Sequence, residues 1–325
     1  MKTIQWLGTL LLLATLLTAQ AKEEEVAIPQ PWGTLRGTLV TPDEPANTAV
    51  LIIAGSGPID RNGNGGPALH TNAYYQLAEA LKSTGIASLR YDKQGIGAST
   101  YTDPNQRIPE DSLRFEDYIN GARACIDYLR QTGFEKVVLA GHSEGSLIAL
   151  ALAADGEKGI AAVISIAGAG FPIDEILQIQ LGTQTMGVNP GLMLSTQKIL
   201  SRLKQGESVP ESEIPPQLQM VFRPSIQPYM SSWMQYDPRE EIRNVQQPVL
   251  ILNGDNDLQV SVKDAEALAQ AQPKARKIII HDMTHPMKIS QERDMQQQVL
   301  SVYTNPALPI SEELVQAISA FIQTL

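Results

Sequence analysis

Gly141-His142-Ser143-Glu144-Gly145 sets a serine between two glycines, directly after the apolar run 136–140 and before the helix-like stretch 146–154. Between a strand and a helix, Gly-x-Ser-x-Gly is the sharp turn that lifts a serine hydroxyl clear of the backbone, where it can attack an acyl carbon. The glycines are needed because the turn strains the serine backbone and brings helix and strand so close that side chains at 141 and 145 would collide. Ser143 is therefore the candidate nucleophile. The pattern is short, so its partners and the surrounding elements must carry the reading.

A serine hydroxyl is a poor nucleophile until a base takes its proton, and that base needs a third group to orient it. Two later segments supply such groups, Gly254-Asp255-Asn256-Asp257-Leu258-Gln259-Val260 and His281-Asp282-Met283-Thr284-His285-Pro286. Asp257 is the candidate acid and His285 the candidate base, with Asp255 and His281 as rivals. Asp255 lies nearer its strand and suits a turn-shaping role. His281 ends a strand, whereas His285 sits on the loop beyond it and can face Ser143. One step along the backbone directs His142 away from the serine, so it reads as a packed and hydrogen-bonded support for the turn. Catalysis also needs donors for the oxygen that becomes negative on addition. The amide of Glu144 is one; the second is expected from Ala54-Gly55-Ser56-Gly57-Pro58, at Ser56 or alternatively Gly57.

Positioning these groups requires strands that end near one another. Apolar strands and amphipathic helices alternate from residue 49: strand 49–54, helix 72–83, strand 86–90, helix 115–131, strand 137–140, helix 146–154 and strand 161–167. This predicts an α/β fold with a mostly parallel central sheet and helices on both faces. A short hairpin, 26–31 with 34–40, precedes it. The alternation stops after Gly170, and 171–237 carries helical patterns broken by Pro190, Pro210, Pro215, Pro216, Pro224 and Pro228, which reads as an inserted helical cap. Strands 248–253 and 276–280, with helices 262–271 and 311–325, complete the core. The expected organisation is core 22–170, cap 171–237 and core 238–325.

Taken together, the glycine-rich loop, serine turn, acid turn and histidine loop, in that order, resemble the α/β-hydrolase superfamily over nearly all of the chain beyond residue 21. Arg90-Tyr91-Asp92-Lys93-Gln94-Gly95-Ile96-Gly97-Ala98-Ser99 and the segment 55–64 look like those of exported bacterial esterases and serine aminopeptidase-like hydrolases. In that family the acid follows a Gly-x-x-Asp turn, which matches Gly254 and Asp257, and the last histidine matches His285. The resemblance implies ester hydrolysis through a Ser-His-Asp triad and an acyl-enzyme, with no cofactor. Ala54 departs from the histidine that many members carry in the first loop.

Composition narrows the partners. With 325 residues and 43% hydrophobic content the chain can bury a large core, and a net charge of −10 without a basic stripe argues against nucleic acid. Lys2, the apolar run 4–17 and Ala19-Gln20-Ala21 read as a signal peptide spanning 1–21, which predicts export to the periplasm or medium without a stable membrane anchor. Cys125, the only cysteine, falls on the apolar face of helix 115–131 and reads as core. Asp60-Arg61-Asn62-Gly63-Asn64-Gly65 begins like a calcium loop, but the twelfth position is Thr71 where a bidentate Glu is required, so no metal is expected.

The expected partner is a small-molecule ester. Phe171, Met186, Met193, Met220, Phe222, Met230, Trp233 and Met234 could line an acyl pocket or equally attach the cap to the sheet. An aminopeptidase would need cap carboxylates, from Asp174, Glu175, Glu207, Glu211 or Glu213, to hold a substrate ammonium. Outside enzymes, the alternative is a binding protein on a hydrolase scaffold.

Overall fold

The computed structural model describes residues 22–100, 109–185 and 190–325. The expected signal segment 1–21 and Met186 lie outside the described residues. No helix among the described residues is long and apolar enough to cross a membrane.

Strands β1 (Lys22–Gln30) and β2 (Gly33–Thr41) form an antiparallel hairpin, and β2 pairs antiparallel with β4 (Ala87–Tyr91). From β4 through β3 (Thr48–Ile53), β5 (Lys136–His142), β6 (Ile160–Ile166), β7 (Val249–Gly254) and β8 (Arg276–Ile280), every pairing is parallel. The order β1-β2-β4-β3-β5-β6-β7-β8 puts β4 and β5 on opposite sides of β3. Chain direction across the sheet therefore reverses at β3, and the crevice beyond the carboxyl ends of β3 and β5 is where such sheets hold ligands.

Both faces of the sheet are covered, so the central strands are apolar throughout rather than alternating. Strand β3 sends Ala49, Leu51 and Ile53 to one cluster and Val50 and Ile52 to the other. On the second face lie α1 (Ala73–Ser83) and α11 (Glu312–Ile322). On the first lie α2 (Phe115–Gln131), α3 (Glu144–Ala154) and α9 (Val262–Ala271). Cys125 is fully buried on α2, and burial pushes its thiol pKa well up, which suits a packing role. Beyond Ser146, helix α3 is apolar on all sides and accordingly buried all round.

Between β6 and β7 lie α4 (Ile173–Thr185), α5 (Pro190–Lys204), α6 (Gln219–Phe222), α7 (Gln227–Trp233) and α8 (Pro238–Asn244). Aromatic packing attaches them to α2. Phe115 stacks on Trp233 with centroids 5.7 Å apart and also meets Tyr229 and Tyr236, while Tyr118 meets Tyr229 at 5.5 Å. Phe222, Met230 and Met234 are buried in the same cluster. Past β8 the pattern had suggested no element before the last helix, yet α10 (Met295–Gln298) runs into a π-helical turn, Val299–Tyr303. A helix that short is held by tertiary bonds: the Gln298 side chain donates to the Asn256 and Glu292 carbonyls.

Phe115 is wholly buried where α2 meets α7, so Phe115→Ala should lower unfolding free energy by about 3–5 kcal/mol in denaturant titration. A change below about 1 kcal/mol would mean that the aromatic cluster does not anchor the helices.

Candidate active site

Ser143 occupies the one-residue step between β5 and α3, at φ 54° and ψ −119°. Its amide donates to the Ile166 carbonyl at 2.9 Å, which fastens the turn to β6. A methyl on Gly141 would come within 2.1 Å of the Gly145 carbonyl oxygen, and one on Gly145 within 2.2 Å of that of Ile53. No flexible side chain stands there to yield; both obstacles are backbone.

Asp257 and His285 come together although 28 residues apart: His285 Nδ1 donates to Asp257 Oδ2 at 2.7 Å. The other carboxylate oxygen accepts the amides of Gln259 (2.8 Å) and Val260 (2.9 Å), so the acid is held from two sides. With Nδ1–H committed, Nε2 is the nitrogen left to take a proton. The rivals pair with each other elsewhere. His281 Nδ1 meets Asp255 Oδ2 at 2.7 Å, but the His281 side chain is 79% exposed and Asp255 accepts the Asp282 amide to shape the turn. The loop carrying His285 is tightly knit: the Thr284 amide and hydroxyl both donate to the Lys288 carbonyl, and the buried Lys288 Nζ donates to the Asn305 carbonyl.

His142 does more than pack. Its Nε2 lies 2.8 Å from the His285 carbonyl oxygen and its Nδ1 2.8 Å from the Tyr74 hydroxyl. A carbonyl can only accept, so Nε2 carries the proton and Nδ1 accepts from Tyr74. The Tyr74 oxygen in turn accepts the Gly55 amide at 3.0 Å. One relay thus joins the loop after β3, the start of α1, the serine turn and the histidine loop. Burial, reinforced by the neighbouring His285, lowers the His142 pKa to about 3 and keeps the ring neutral. Sequence alone pointed to His142 only as support, and Tyr74 carried no signal beyond a place on an amphipathic helix.

The loop after β3 approaches the serine so closely that a Cβ on Gly55 would lie 3.2 Å from that of Ser143. Among the described residues, the backbone amides of Ser56 and Glu144 have no acceptor. The Glu144 side chain is buried in an ion pair with Lys93 at 2.7 Å. The segment with calcium-loop character is a turn satisfied by protein groups: Asp60 Oδ1 accepts the Asn62 and Asn64 amides, and Asn62 Oδ1 accepts from Arg90.

Ser143, His142 and His285 line a cavity of about 260 Å³ walled by Ile59, Ala68, Leu69, Ala73, Met287 and Tyr303. Its walls come from the loop after β3, the start of α1 and the stretch 286–303. None of its described lining residues comes from α4–α8. Met193 and Met220, suggested as lining, are exposed at 47% and 82%, and Phe171 stacks against Arg239. A groove of about 1050 Å³ beyond Gly57 and Pro58 is larger, but it contains neither Ser143 nor His285.

The pKa of His142 yields a sign-definite expectation. Between pH 6.5 and about 3 the unfolded chain binds a proton that the folded ring refuses, so stability is full above 6.5 and falls as pH drops through this window. The contribution should approach 1.4 kcal/mol per pH unit, and His142→Gln should abolish it in denaturant titrations run from pH 7 to 4. An unchanged slope would mean the ring is not held neutral.

A family model described as serine aminopeptidase, S33, matches residues 65–292. The esterase EstD of Thermotoga maritima is 27% identical over 248 residues, covering 74% of this chain and 54% of that protein, so the chain spans about half the length of the curated relative it matches. Among solved structures, Est1E of Butyrivibrio proteoclasticus superposes with TM-score 0.58 at 17% identity, over 92% of this chain and 98% of that one. Proline iminopeptidase of Mycobacterium smegmatis gives 0.58 at 15%, over 93% and 98%. These likenesses confirm an α/β-hydrolase fold with its mostly parallel sheet, and by the extent of the family match the chain belongs to the serine aminopeptidase S33 family.

Proposed function

We propose that this protein hydrolyses carboxylic esters of small, apolar acyl groups through a Ser143–His285–Asp257 triad. What carries the reading is the Asp257–His285 bond at 2.7 Å opening onto the same cavity as the strained Ser143. His285 Nε2 takes the Ser143 proton as the hydroxyl oxygen adds to the ester carbonyl. The amides of Ser56 and Glu144 receive the oxyanion, and Asp257 stabilises the imidazolium. Collapse expels the alcohol, protonated by His285. Water, deprotonated by the same nitrogen, then releases the acid. No step calls for a metal or cofactor.

Esters are favoured over amino-terminal peptides by the cavity's lack of charge. None of its described lining residues is acidic, so nothing there would hold a substrate ammonium. Four of the five cap carboxylates that an aminopeptidase would recruit have other partners: Asp174 pairs with Lys204, Glu175 with Arg239, and Glu207 and Glu213 with Arg202, while Glu211 is exposed and does not line the cavity. The names of EstD and Est1E agree with the ester reading. Export by the 1–21 signal belongs to the same proposal; recovery of the full-length chain in the cytoplasm, uncleaved, would contradict it.

With p-nitrophenyl esters, turnover should peak at acetyl to butyryl and decline steeply for decanoyl, the cavity being small. Ser143→Ala and Asp257→Asn should each cut kcat by about 10⁴-fold. Equal rates in wild type and Ser143→Ala would refute the triad. Faster release of p-nitroaniline from amino-acid anilides than of p-nitrophenol from esters would move the protein to the aminopeptidases. Inertness toward both substrates and toward a serine-directed phosphonate would leave the binding-protein reading.

A further inference from the structure

Lys93 is a cation with its entire side chain removed from solvent, directly beneath the loop that contacts Ser143. Its three donor directions are all used. Nζ donates to Glu144 Oε1 at 2.7 Å and to the Gly55 carbonyl at 2.7 Å, and it sits 4.5 Å from the centre of the Tyr118 ring. Glu144 Oε2 accepts the Tyr229 hydroxyl, also at 2.7 Å. A buried pair of this kind is a poor stabilising device, because desolvation offsets most of the attraction. Its geometry indicates another use.

Gly55 and Ser56 share a peptide group, and no peptide bond in the described chain is cis. In a trans peptide the carbonyl and the following N–H point in opposite directions. Pinning the Gly55 oxygen inward to Lys93 therefore turns the Ser56 N–H outward, on the side where Ser56 and Ser143 line the cavity. The Gly55 amide is pinned too, by Tyr74. Glycine at this position could otherwise rotate freely, and a flipped peptide would present a carbonyl oxygen where the oxyanion must sit.

We propose that Lys93 is a positioning residue for the oxyanion site, holding the Gly55–Ser56 peptide in the orientation that presents the Ser56 amide. The inference rests on the ester-hydrolase reading above. Glu144 fixes the ammonium from the other side while its own backbone supplies the second amide, so one ion pair aligns both donors. Tyr229, on α7, links the pair to the helices between β6 and β7.

The test compares Glu144→Gln with the double variant Lys93→Met/Glu144→Gln, which differ only in the cation and leave no unpaired buried charge in the second. Each is assayed for kcat, KM and inhibition by an alkyl boronic acid, whose adduct with serine is tetrahedral and anionic. Circular dichroism and phosphonate titration count the folded, reactive fraction. Relative to Glu144→Gln, the double variant should lose about tenfold or more in kcat, of the order expected when one oxyanion donor is misdirected. KM should stay within about twofold and boronate affinity should fall in parallel with kcat. A merely structural role would instead lower the reactive fraction and leave kcat per reactive site alone. Unchanged kcat and boronate affinity in a folded double variant overturn the proposal while leaving the triad standing. A wild-type protein that neither turns over esters nor binds the boronate defeats the underlying reading, and this one with it. If the double variant does not fold, Tyr229→Phe decides: a severalfold loss of kcat at constant KM supports the assignment, and no loss overturns it.

Discussion

Backbone touches backbone at the serine turn, and the rest of the site is arranged around that contact. Helix α3 starts so near β5 and β3 that positions 141 and 145 have no room for a single methyl group. This closeness forces the chain to reverse within one residue and leaves Ser143 at a positive φ that only a well-braced turn sustains. The bracing is apolar at first: α3 is buried on all sides, and β3, β5 and β6 send apolar side chains to both faces up to Ile53, Ala140 and Ile164. Strand ends packed that rigidly allow three loops, after β3, β7 and β8, to meet at one point.

Polar groups then occupy a region that the packing has made dry, and each must find a partner there. The relay from the Gly55 amide through Tyr74 and His142 to the His285 carbonyl does this on one side of the serine. The Gly55 carbonyl, Lys93, Glu144 and Tyr229 do it on the other. Gly55 is common to both, with its donor taken by a neutral chain and its acceptor by a charged one. In water such bonds exchange freely, but in a dry interior a broken one strands a buried donor or acceptor at about 1–3 kcal/mol. The loop is consequently held in one conformation by the cost of the alternatives.

Much of this was legible in the chain itself because local signals coincided. The apolar runs and helical periodicities located most core strands and helices to within a residue or two, the first strand starting four residues earlier and the last helix ending three residues earlier than expected, and Asp257 and His285 were preferred over Asp255 and His281 from their loops together with the family resemblance. The groups that sequence did not reveal act through side chains meeting across long separations. Tyr74 bonds 68 residues away and Tyr229 bonds 85 residues away, and neither has a neighbour pattern to betray it. Lys93 lay inside the segment 90–99, noted for its family resemblance, yet lysine is so rarely buried that composition argues against such a role. The methionines and aromatics of the inserted helices read either as walls of the cavity or as the attachment of the cap, and the second holds for Phe222, Met230, Trp233 and Met234, while Met193 and Met220 face solvent, because a helix bundle laid on a sheet needs apolar glue before it can offer a pocket. The turn at Val299–Tyr303, which brings Tyr303 to the cavity, is too short to leave a periodic trace.

A division of labour in the scaffold has a consequence for how such proteins diversify. The described walls of the cavity next to Ser143 come mainly from the 55–74 and 285–303 stretches, with Gln259, while α4–α8 are bolted to α2 by an aromatic cluster none of whose residues lines that cavity. Changes of cavity size and changes in the inserted helices can therefore accumulate in separate lineages of mutation wherever they leave the shared contacts intact. The hydroxyl of Tyr229, bonded to Glu144, and the side chain of Gln180 on α4, which donates to the carbonyl of the cavity-lining Gln259, are places where the two histories are coupled, since a lineage that reshapes α4 or α7 must either keep those contacts or relocate them.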